Sequence, residues 1–360
     1  MARSNLPARA RRLGLPVAPS LALGALLWPT VAATDPAMPG PARSARPADA
    51  VAENRACESC HPEIAAEWRA SMHKQAHTDP AYQRALAIEP LSFCRGCHAP
   101  EADPRAEAPP ASGDIGVACV SCHDAAGKPP LSAPRSGGPE PPHAVRRSAR
   151  FATGDACASC HEFPFPGQPP AGLRMQTTMS EHRASDSADR TCASCHMPWV
   201  GAGAARHRSH RFEVRDPRLL RGAMSVRARR AGATAVELTL EPVGVGHAFP
   251  TGDLFRRIAV EAEVAGPDNL VLASASRYLT RHFENLTLPG GRHEKRLVRD
   301  DRPGTTQGPS GVVLDLGQAG LGQTILYRVT YERVAHPAGV SEATAIIETS
   351  VILAEGAVKP

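Results

Sequence analysis

The segment Cys57-Glu-Ser-Cys60-His61 is the first of five copies of the pattern Cys-x-x-Cys-His, and together the copies use all ten cysteines of the chain. Two thiols at this spacing can form thioethers to the two vinyl groups on one edge of a haem. The histidine that follows can then bind the iron. The pattern therefore predicts five covalently attached c-type haems. The predicted thioether residues are Cys57, Cys60, Cys94, Cys97, Cys119, Cys122, Cys157, Cys160, Cys192 and Cys195, and the predicted iron ligands are His61, His98, His123, His161 and His196.

Two other roles of paired cysteines do not account for this pattern. A disulfide framework in a secreted protein does not require a histidine after every second cysteine. A structural zinc site normally uses two Cys-x-x-Cys pairs for one ion, which would leave the fifth pair without a partner. Haem attachment is the role that requires the adjacent histidine in every copy.

The first 33 residues have the pattern of a secretion signal. Basic residues, including Arg11 and Arg12, precede an apolar stretch over 15–27, and Val31-Ala32-Ala33 provides small residues for cleavage. The apolar stretch is interrupted by prolines and is too short for a membrane-spanning helix. We therefore expect an exported protein, periplasmic or extracellular, because c-type cytochromes receive haem outside the bacterial inner membrane. A disordered basic tail is the alternative interpretation.

The charge balance argues against a nucleic-acid partner. The full chain has 41 lysine and arginine residues and 36 aspartate and glutamate residues, a formal net charge of +5. Because the first 33 residues hold four arginines and no acid, the exported chain has 37 basic and 36 acidic residues. Five haems would add about ten negative charges if both propionates of each are ionised. A neutral to acidic protein lacks the basic excess that nucleic-acid binding requires.

Residues 34–55 are rich in proline and alanine and are predicted to be a linker. The motifs follow within 56–221, the predicted pentahaem domain, where their close spacing leaves room only for short helices and loops. Helices are predicted over 63–77, 80–88 and 174–184. Aromatic residues make up only 4% of the chain, so we expect porphyrins to supply much of the apolar bulk here. Without haem, this half is expected not to fold.

The sequence changes after residue 222, where cysteine no longer occurs and alternating β-rich segments begin. Residues 222–360 are predicted to form an antiparallel β-sandwich-like domain, of normal size for one domain. The predicted fold is thus a mostly α-helical and irregular N-terminal multihaem cytochrome c domain followed by this β domain. Strands are predicted over 234–240, 257–264, 270–272, 277–283, 324–331 and 343–353, with a turn at 266–269.

The segments around the motifs resemble a known family. Trp68-Arg-Ala-Ser-Met-His73 follows the first motif, Gly116-Val117 precedes the third, and Met197-Pro198 and His207-Arg-Ser-His210-Arg-Phe212 follow the fifth. They are similar to the multihaem cytochrome c family typified by the tetrahaem electron acceptor of hydroxylamine oxidoreductase.

This resemblance covers roughly residues 55–215. It implies electron transfer through closely packed, mostly bis-histidine haems, and the family includes members in which one haem lacks a distal protein ligand. The fifth motif and the β domain depart from the family. The segment Gly246-His247-Ala-Phe-Pro-Thr-Gly252 is similar to a motif in β domains that some multihaem cytochromes carry.

Ten histidines remain outside the motifs, and four of them are predicted as distal iron ligands. His73 is predicted from the resemblance and from its place on a helix that leads away from His61, so it would serve a different haem. His143 lies in a proline-rich loop with no evident core role. His210 follows the fifth motif, with His207 as its close rival.

His247 is the fourth predicted distal ligand, because Gly246 and Phe249-Pro250 constrain its loop, and it would cap a haem at the domain junction. His77 lies one helical turn beyond His73 and could serve a second haem. Methionine ligation stays open, although methionine more often fills a core. The candidate methionines are Met175 and Met179, and the histidines expected to be ordinary are His182, His282, His293 and His336.

Axial ligation decides between two functions. Histidine on both faces gives low-spin iron and blocks substrate, whereas an open face can bind nitrite, hydroxylamine, oxygen or peroxide. The first interpretation is an exported electron carrier with redox protein partners, including peripheral association with a membrane quinol-oxidising complex. The alternative is an oxidoreductase that reduces or oxidises a small nitrogen or sulfur species at one open haem.

The carrier interpretation is favoured, and no catalytic residue is assigned. Nitrite-reducing relatives use a Cys-x-x-Cys-Lys motif, which does not occur in this sequence. Hydroxylamine-oxidising relatives use a tyrosine crosslink, and three of the four tyrosines here lie on predicted strands. A structural role in filaments and the oligomeric state are left open by the sequence.

Overall fold

Short helices surround the five motifs, and strands follow them, in a computed structural model of the chain. It describes residues 49–123, 128–134, 140–166, 168, 172–287, 289, 291, 293–305, 311–335 and 342–360. The predicted secretion signal at 1–33 and the predicted linker up to residue 48 lie outside the described residues. All described residues belong to one compact unit of the chain. Within them, no helix has the length and apolar character needed to cross a membrane.

The α-helices of the described residues all lie before residue 223. They are α1 (Ala50–Cys60), α2 (Pro62–Arg69), α3 (Pro80–Ile88), α4 (Ser92–His98), α5 (Pro110–Asp114), α6 (Cys119–His123), α7 (Arg150–Thr153), α8 (Asp155–His161), α9 (Thr178–Arg183), α10 (Cys192–His196) and α11 (Pro217–Gly222). Short strands lie between them: β1 (Leu131–Ser132), β2 (Arg146–Arg147), β3 (Glu162–Pro164), β4 (Arg174–Thr177), β5 (Trp199–Val200) and β6 (His207–Arg208).

Capping side chains fix where several of these short helices begin. Asp49, Asp79 and Asp216 each accept a hydrogen bond from a backbone N–H in the first turn of the helix that follows. Pro80 and Pro217 occupy first helical positions, where the missing N–H costs nothing. Helices this short are marginal alone, so these caps help to place the segments that carry the motifs.

The remainder of the chain is built from antiparallel strands. They are β7 (Met224–Ala231), β8 (Ala235–Pro242), β9 (Arg256–Ala265), β10 (Val271–Leu279), β11 (Arg281–Thr287), β12 (His293–Asp300), β13 (Gly311–Asp315), β14 (Ile325–Val334) and β15 (Ile347–Val358). One sheet has the order β10-β9-β14-β15, a second has the order β13-β8-β7, and β11 and β12 form a hairpin.

The two larger sheets share one hydrophobic core, as expected for a sandwich. Leu238 on β8 and Val312 on β13 belong to the same buried cluster as Ile258 on β9 and Val329 on β14, and all four are fully buried. Alternate residues of each strand point to this core, which is the period-two pattern of a half-buried strand. The predicted antiparallel β region is therefore present, with its packing supplied by aliphatic side chains.

One ion pair is buried in the four-stranded sheet. Arg257 on β9 and Glu332 on β14 are direct cross-strand neighbours, and the Arg257 Nε atom lies 2.7 Å from Glu332 Oε2. Each side chain is only 7% exposed. The Arg257 guanidinium also lies 3.9 Å from the centre of the Tyr278 ring. Because both charges are removed from water, each depends on the other for its stability.

Two predictions about the first helices are corrected by the structure. Helix α1 begins at Ala50, inside the segment 34–55 predicted as a linker, because Asp49 caps it. The helix predicted over 63–77 ends at Arg69, and residues 70–78 form turns. The Ser71 hydroxyl donates to the Trp68 carbonyl at 2.7 Å, which offers that carbonyl an alternative to a longer helix.

The segment predicted as a helix over 174–184 begins instead as strand β4. This strand pairs with β3, and helix α9 follows only from Thr178. The Glu162 carboxylate at the start of β3 accepts a hydrogen bond from the backbone N–H of Ser180 at 2.8 Å. Pairing with β3 thus overrides the local helical preference of residues 174–177, as tertiary contacts often do.

Candidate haem sites

Each Cys-x-x-Cys-His motif lies on a short helix of its own. The first closes α1, and the others lie on α4, α6, α8 and α10. One helical turn places cysteines three residues apart on the same side of the helix, as attachment to one porphyrin edge requires. All ten cysteines are free thiols, so each is available for a thioether.

Four of the five motif histidines face a second histidine. The ring centres are 6.0 Å apart for His61 and His143, 6.3 Å for His73 and His161, 6.4 Å for His123 and His210, and 6.2 Å for His196 and His247. A histidine nitrogen lies about 2 Å from the metal that it binds, so two imidazoles on opposite sides of one metal have centres about 6 Å apart. The separations thus fit one iron between the rings of each pair.

Hydrogen bonds to backbone carbonyls fix the tautomer of several of these rings. A carbonyl oxygen can only accept, so the Nδ1 atom of each ring carries the proton and Nε2 keeps its lone pair for a metal. The Nδ1 bonds are His98 to Ala76 at 2.6 Å, His123 to Leu131 at 2.6 Å, His143 to Ala144 at 3.1 Å, His210 to Arg208 at 2.8 Å and His247 to Ala248 at 2.9 Å. This is the arrangement that iron-binding histidines need.

Burial favours the neutral form, which is the form that binds a metal, in six of the eight paired rings. Burial, the largest cause, and the charges of neighbouring histidines together lower the pKa of His73 to about 3 and that of His161 to about 4. Burial is also the main cause that lowers the pKa of His98, His123, His196, His210 and His247. A neutral imidazole can bind a ferric or ferrous iron without first losing a proton.

His98, in the second motif, has a different environment. No histidine ring of the described residues faces it at the separation seen in the other four pairs. Its ring instead stacks on Tyr82, with ring centres 3.8 Å apart and planes within 6°. Tyr82 is only 7% exposed, and its hydroxyl is a buried group without a hydrogen-bond partner among the described residues. Burial raises the pKa of this phenol, so it stays protonated.

His77 lies beside Tyr82 and not opposite a motif histidine. Its ring centre is 5.6 Å from that of Tyr82, and its buried Nδ1 atom has no partner among the described residues. A Cβ atom on Gly113 would lie 2.6 Å from His77 Cδ2, so only glycine leaves room for this ring. The structure therefore brings His77 and Tyr82 together near the second motif.

The remaining histidines and methionines lie elsewhere. His207, the rival of His210, has Nε2 3.3 Å from Glu67 Oε2 and so points away from a motif histidine. His282 lies between Asp301 and Glu342, with contacts of 2.9 and 2.7 Å. Met179 is buried beside Gly154. The position of His336 and the side chain of His293 lie outside the described residues.

Thiol contacts identify neighbouring motifs. The thiol pairs in hydrogen-bonding contact are Cys57 with Cys119, Cys97 with Cys160, and Cys157 with Cys192. The first motif therefore lies beside the third, the second beside the fourth, and the fourth beside the fifth.

Other contacts agree with this order. Asn54 on α1 accepts a hydrogen bond from the Cys119 N–H at 2.9 Å, and the Phe93 and Phe163 rings, next to the second and fourth motifs, are 5.5 Å apart. Phe151, just before the fourth motif, stacks on His123 of the third at 5.4 Å. The motifs thus follow the spatial order first, third, fourth and fifth, with the second beside the fourth.

Phe212 lies between two of the predicted distal ligands. Its ring centre is 4.3 Å from that of His73 and 6.0 Å from that of His210, and it meets both rings edge-on. Its φ angle is +47°, a left-handed conformation that is rare for a bulky residue. The sequence assigns no role to Phe212 or Tyr82: the contact of Phe212 with His73 joins segments far apart in the chain, and the stacking of Tyr82 on His98 follows no motif.

The loop that carries His247 is tied to helix α9. The Ser185 hydroxyl donates to the Gly246 carbonyl at 3.1 Å, and the Thr251 hydroxyl donates to Glu181 Oε2 at 2.5 Å. Arg302, almost fully buried, donates to Glu181 Oε1 at 2.7 Å. These bonds hold His247, from the β region, against the fifth motif.

Comparisons with known proteins agree with this site. Residues 56–124, which hold the first three motifs, match the sequence profile of the family described as cytochrome c554 and c-prime. The fold is similar to the crystal structure of a penta-heme cytochrome c552 from Thermochromatium tepidum, with a TM-score of 0.60 and 19% sequence identity. That similarity covers 86% of this chain and 98% of the other. No curated protein matches the chain. The fold is therefore that of a multihaem cytochrome c.

Proposed function

We propose that this chain is an exported pentahaem c-type cytochrome that transfers electrons through closely packed, mostly bis-histidine haems. The observation that carries the proposal is the set of four histidine pairs with ring centres 6.0–6.4 Å apart. Unrelated histidines would have no reason to face each other at one separation, four times, with a haem-attachment motif on one side of each pair. The similarity to a penta-heme cytochrome supports the same count of five.

The cysteines and histidines of the chain can hold the haems. The ten cysteines would form the thioethers, and the five motif histidines would bind iron from one face. His143 would bind opposite His61, His210 opposite His123, His73 opposite His161, and His247 opposite His196. Bound haem would supply reversible one-electron chemistry at iron, with a low potential where both axial ligands are histidine.

The polypeptide brings the motifs close together, which is what fast electron transfer needs. Thiols of neighbouring motifs lie beside each other, as Cys157 of the fourth motif lies beside Cys192 of the fifth. The first and fifth motifs form the two ends of the row of motifs whose thiols lie beside one another. Redox proteins would dock at these ends, and a membrane quinol-oxidising complex is one candidate partner.

Haem content and spin state test this proposal. Pyridine haemochrome titration and intact mass should give five haems per chain after denaturation. Electron paramagnetic resonance (EPR) of the oxidised protein should show at least four low-spin irons. A count of four or fewer haems, or mostly high-spin iron in the wild type, would contradict the proposal.

A second candidate function rests on the environment of His98. Tyr82, rather than a second imidazole, is its ring neighbour, so the second motif could hold an iron with one open face. Such a site would reduce or oxidise a small nitrogen or sulfur species. The dithionite-reduced protein should then bind carbon monoxide at one iron in five, and Tyr82→Phe should change that binding. Carbon monoxide uptake by none of the irons would exclude this candidate.

A further inference from the structure

An exposed aromatic residue marks the surface beside the fifth motif. Of the two tryptophans that the structure describes, Trp68 is buried and Trp199 is 46% exposed. Trp199 lies three residues after His196, on the hairpin of β5 and β6, where it pairs with Arg208. In a chain with only 4% aromatic residues, Trp199 places one of the few large side chains at the surface.

Two arginines flank this indole. The guanidinium carbons of Arg206 and Arg208 lie 4.6 and 4.4 Å from the centre of the Trp199 ring. Cation–π attraction favours each contact, whereas the two positive charges repel each other across one ring. We call Trp199, Arg206 and Arg208 the Trp199 patch. Its local charge is positive.

No carboxylate of the described residues neutralises the Trp199 patch by an ion pair. Arg208 donates instead to the carbonyls of Ala193 and Met197, at 3.4 and 3.1 Å, on and just after the fifth-motif helix. Arg206 is exposed, and its guanidinium makes no hydrogen bond within the described residues. Most other exposed arginines have a partner, as Arg227 has Glu241. Two arginines without a carboxylate partner on one indole therefore leave a site that an anionic surface could complete.

The propionates of a haem on the fifth motif are unsuited to this role. Thioethers form at the vinyl edge of a porphyrin, and the propionates extend from the opposite edge. The contacts of Arg208 with Ala193 and Met197 place it at the motif helix, which is the thioether side. The positive charge of the Trp199 patch thus faces outward from the attachment edge.

We infer that the Trp199 patch is the docking site for an acidic redox protein, which would exchange electrons at the fifth motif. This inference rests on the proposed function. Tryptophan and arginine are the residues most enriched in energetically important interface positions. Unpaired positive charge would steer a negatively charged partner to this end of the row and fix its orientation. Because Trp199 lies only three residues after His196, a partner on the patch would be close to the fifth motif.

Direct binding tests the inference on the intact holoprotein. The probe is oxidised flavodoxin, a small acidic redox protein, titrated calorimetrically at about 10 mM and about 200 mM salt, where screening differs. Arg206→Glu should weaken binding about tenfold at low salt and have little effect at high salt. Trp199→Leu should weaken binding at both salt concentrations, because it removes contact area rather than charge. Arg218→Glu, which reverses an exposed arginine on α11, is the matched control and should change binding less than twofold.

Two results would overturn the inference. Equal effects of Arg206→Glu and Arg218→Glu would show that only overall charge matters. Binding of anionic phosphatidylglycerol vesicles that depends on Arg206, without flavodoxin binding, would assign the patch to a lipid surface. Haem content and EPR spectra of each variant separate this test from the proposed function. If the protein has five haems and low-spin iron but Arg206→Glu does not change its affinity for flavodoxin, the docking site is wrong and the proposed function stands.

Discussion

The imidazole rings of His196 and His247 lie almost parallel, within 9°, with their centres 6.2 Å apart. One ring belongs to the last Cys-x-x-Cys-His helix, and the other belongs to a loop between strands of the β region. The two residues are 51 positions apart in the sequence. Their opposition places a residue of the β region directly against the fifth motif.

We predict that His247→Ala leaves one iron of the five without its distal ligand. The oxidised variant should gain a high-spin EPR signal, and the reduced variant should bind one additional carbon monoxide. His182→Ala is the control, because His182 lies near the same loop but faces no motif histidine. An unchanged spin state in His247→Ala would show that His247 does not bind iron.

Replacing Phe212 should change the EPR signals of two irons, while both irons keep their distal ligands. Phe212→Ala removes the ring that contacts both His73 and His210, so we expect shifted g values for two low-spin signals and no new high-spin signal. Because Phe212 is half-buried, the loss of stability should be about 2 kcal/mol, below that of a fully buried phenylalanine. Phe212→Tyr keeps the ring and should restore the wild-type spectrum. Spectra identical to wild type in Phe212→Ala would exclude this positioning role.

The Arg257–Glu332 pair should dominate the stability of the four-stranded sheet. Glu332→Ala leaves a buried guanidinium without its carboxylate, and we expect a loss of about 3–5 kcal/mol in the free energy of unfolding. Glu355→Ala breaks the exposed pair with Arg328 and should cost at most about 1 kcal/mol. Thermal unfolding of the two variants makes the comparison. Similar melting temperatures of the two variants would show that breaking the buried ion pair costs no more stability than breaking the exposed one.

Asp301 should contribute to acid sensitivity. Burial alone would raise the pKa of this carboxyl, but hydrogen bonds from His282 and the Thr280 N–H, with the positive charge of Arg299, lower it below its usual value. A depressed pKa stabilises the fold above about pH 4, the unfolded value, and this contribution is lost as the pH falls through the folded pKa.

Asp301→Asn is the variant that checks this pH dependence. We expect it to be less stable than wild type by about 2 kcal/mol at pH 7. The difference in melting temperature should shrink steadily between about pH 5 and pH 2, because only the wild type gains a proton there. Asp268→Asn, in an exposed turn, should follow the wild-type curve. A constant difference across this range would refute the prediction.

The sequence predicts the attachment chemistry better than the local structure. Spacing alone identifies the cysteines and the motif histidines, because that chemistry acts within one helical turn. The helix expected over 63–77 ends early, since His73 must offer its carbonyl to the Val117 N–H at 2.8 Å. Gly116 permits this approach, because a Cβ there would lie 2.5 Å from that carbonyl. Such contacts between distant segments leave no local pattern.

The strands also divide into those that a local sequence pattern predicts and those that depend on contacts with other segments. Those with clear alternation, such as β8 and β14, lie close to their predicted bounds. In the β region, three strands were not predicted: β7 and β12 are rich in arginine or other charged residues, and β13 is only five residues long. Their β conformation comes from pairing with a neighbouring strand, which overrides a weak local preference.

The four histidine pairs also bear on how a chain so poor in aromatic residues stays folded. With iron between each pair, His61 would be joined to His143, His73 to His161, His123 to His210 and His196 to His247, across chain loops of roughly fifty to ninety residues. A permanent cross-link that closes a loop of this size reduces the entropy of the unfolded chain. This raises the free energy of the unfolded state by on the order of 4 kcal/mol. The iron–histidine bonds would thus act as cross-links between distant segments. The same bonds that set the redox properties would also restrict the unfolded chain.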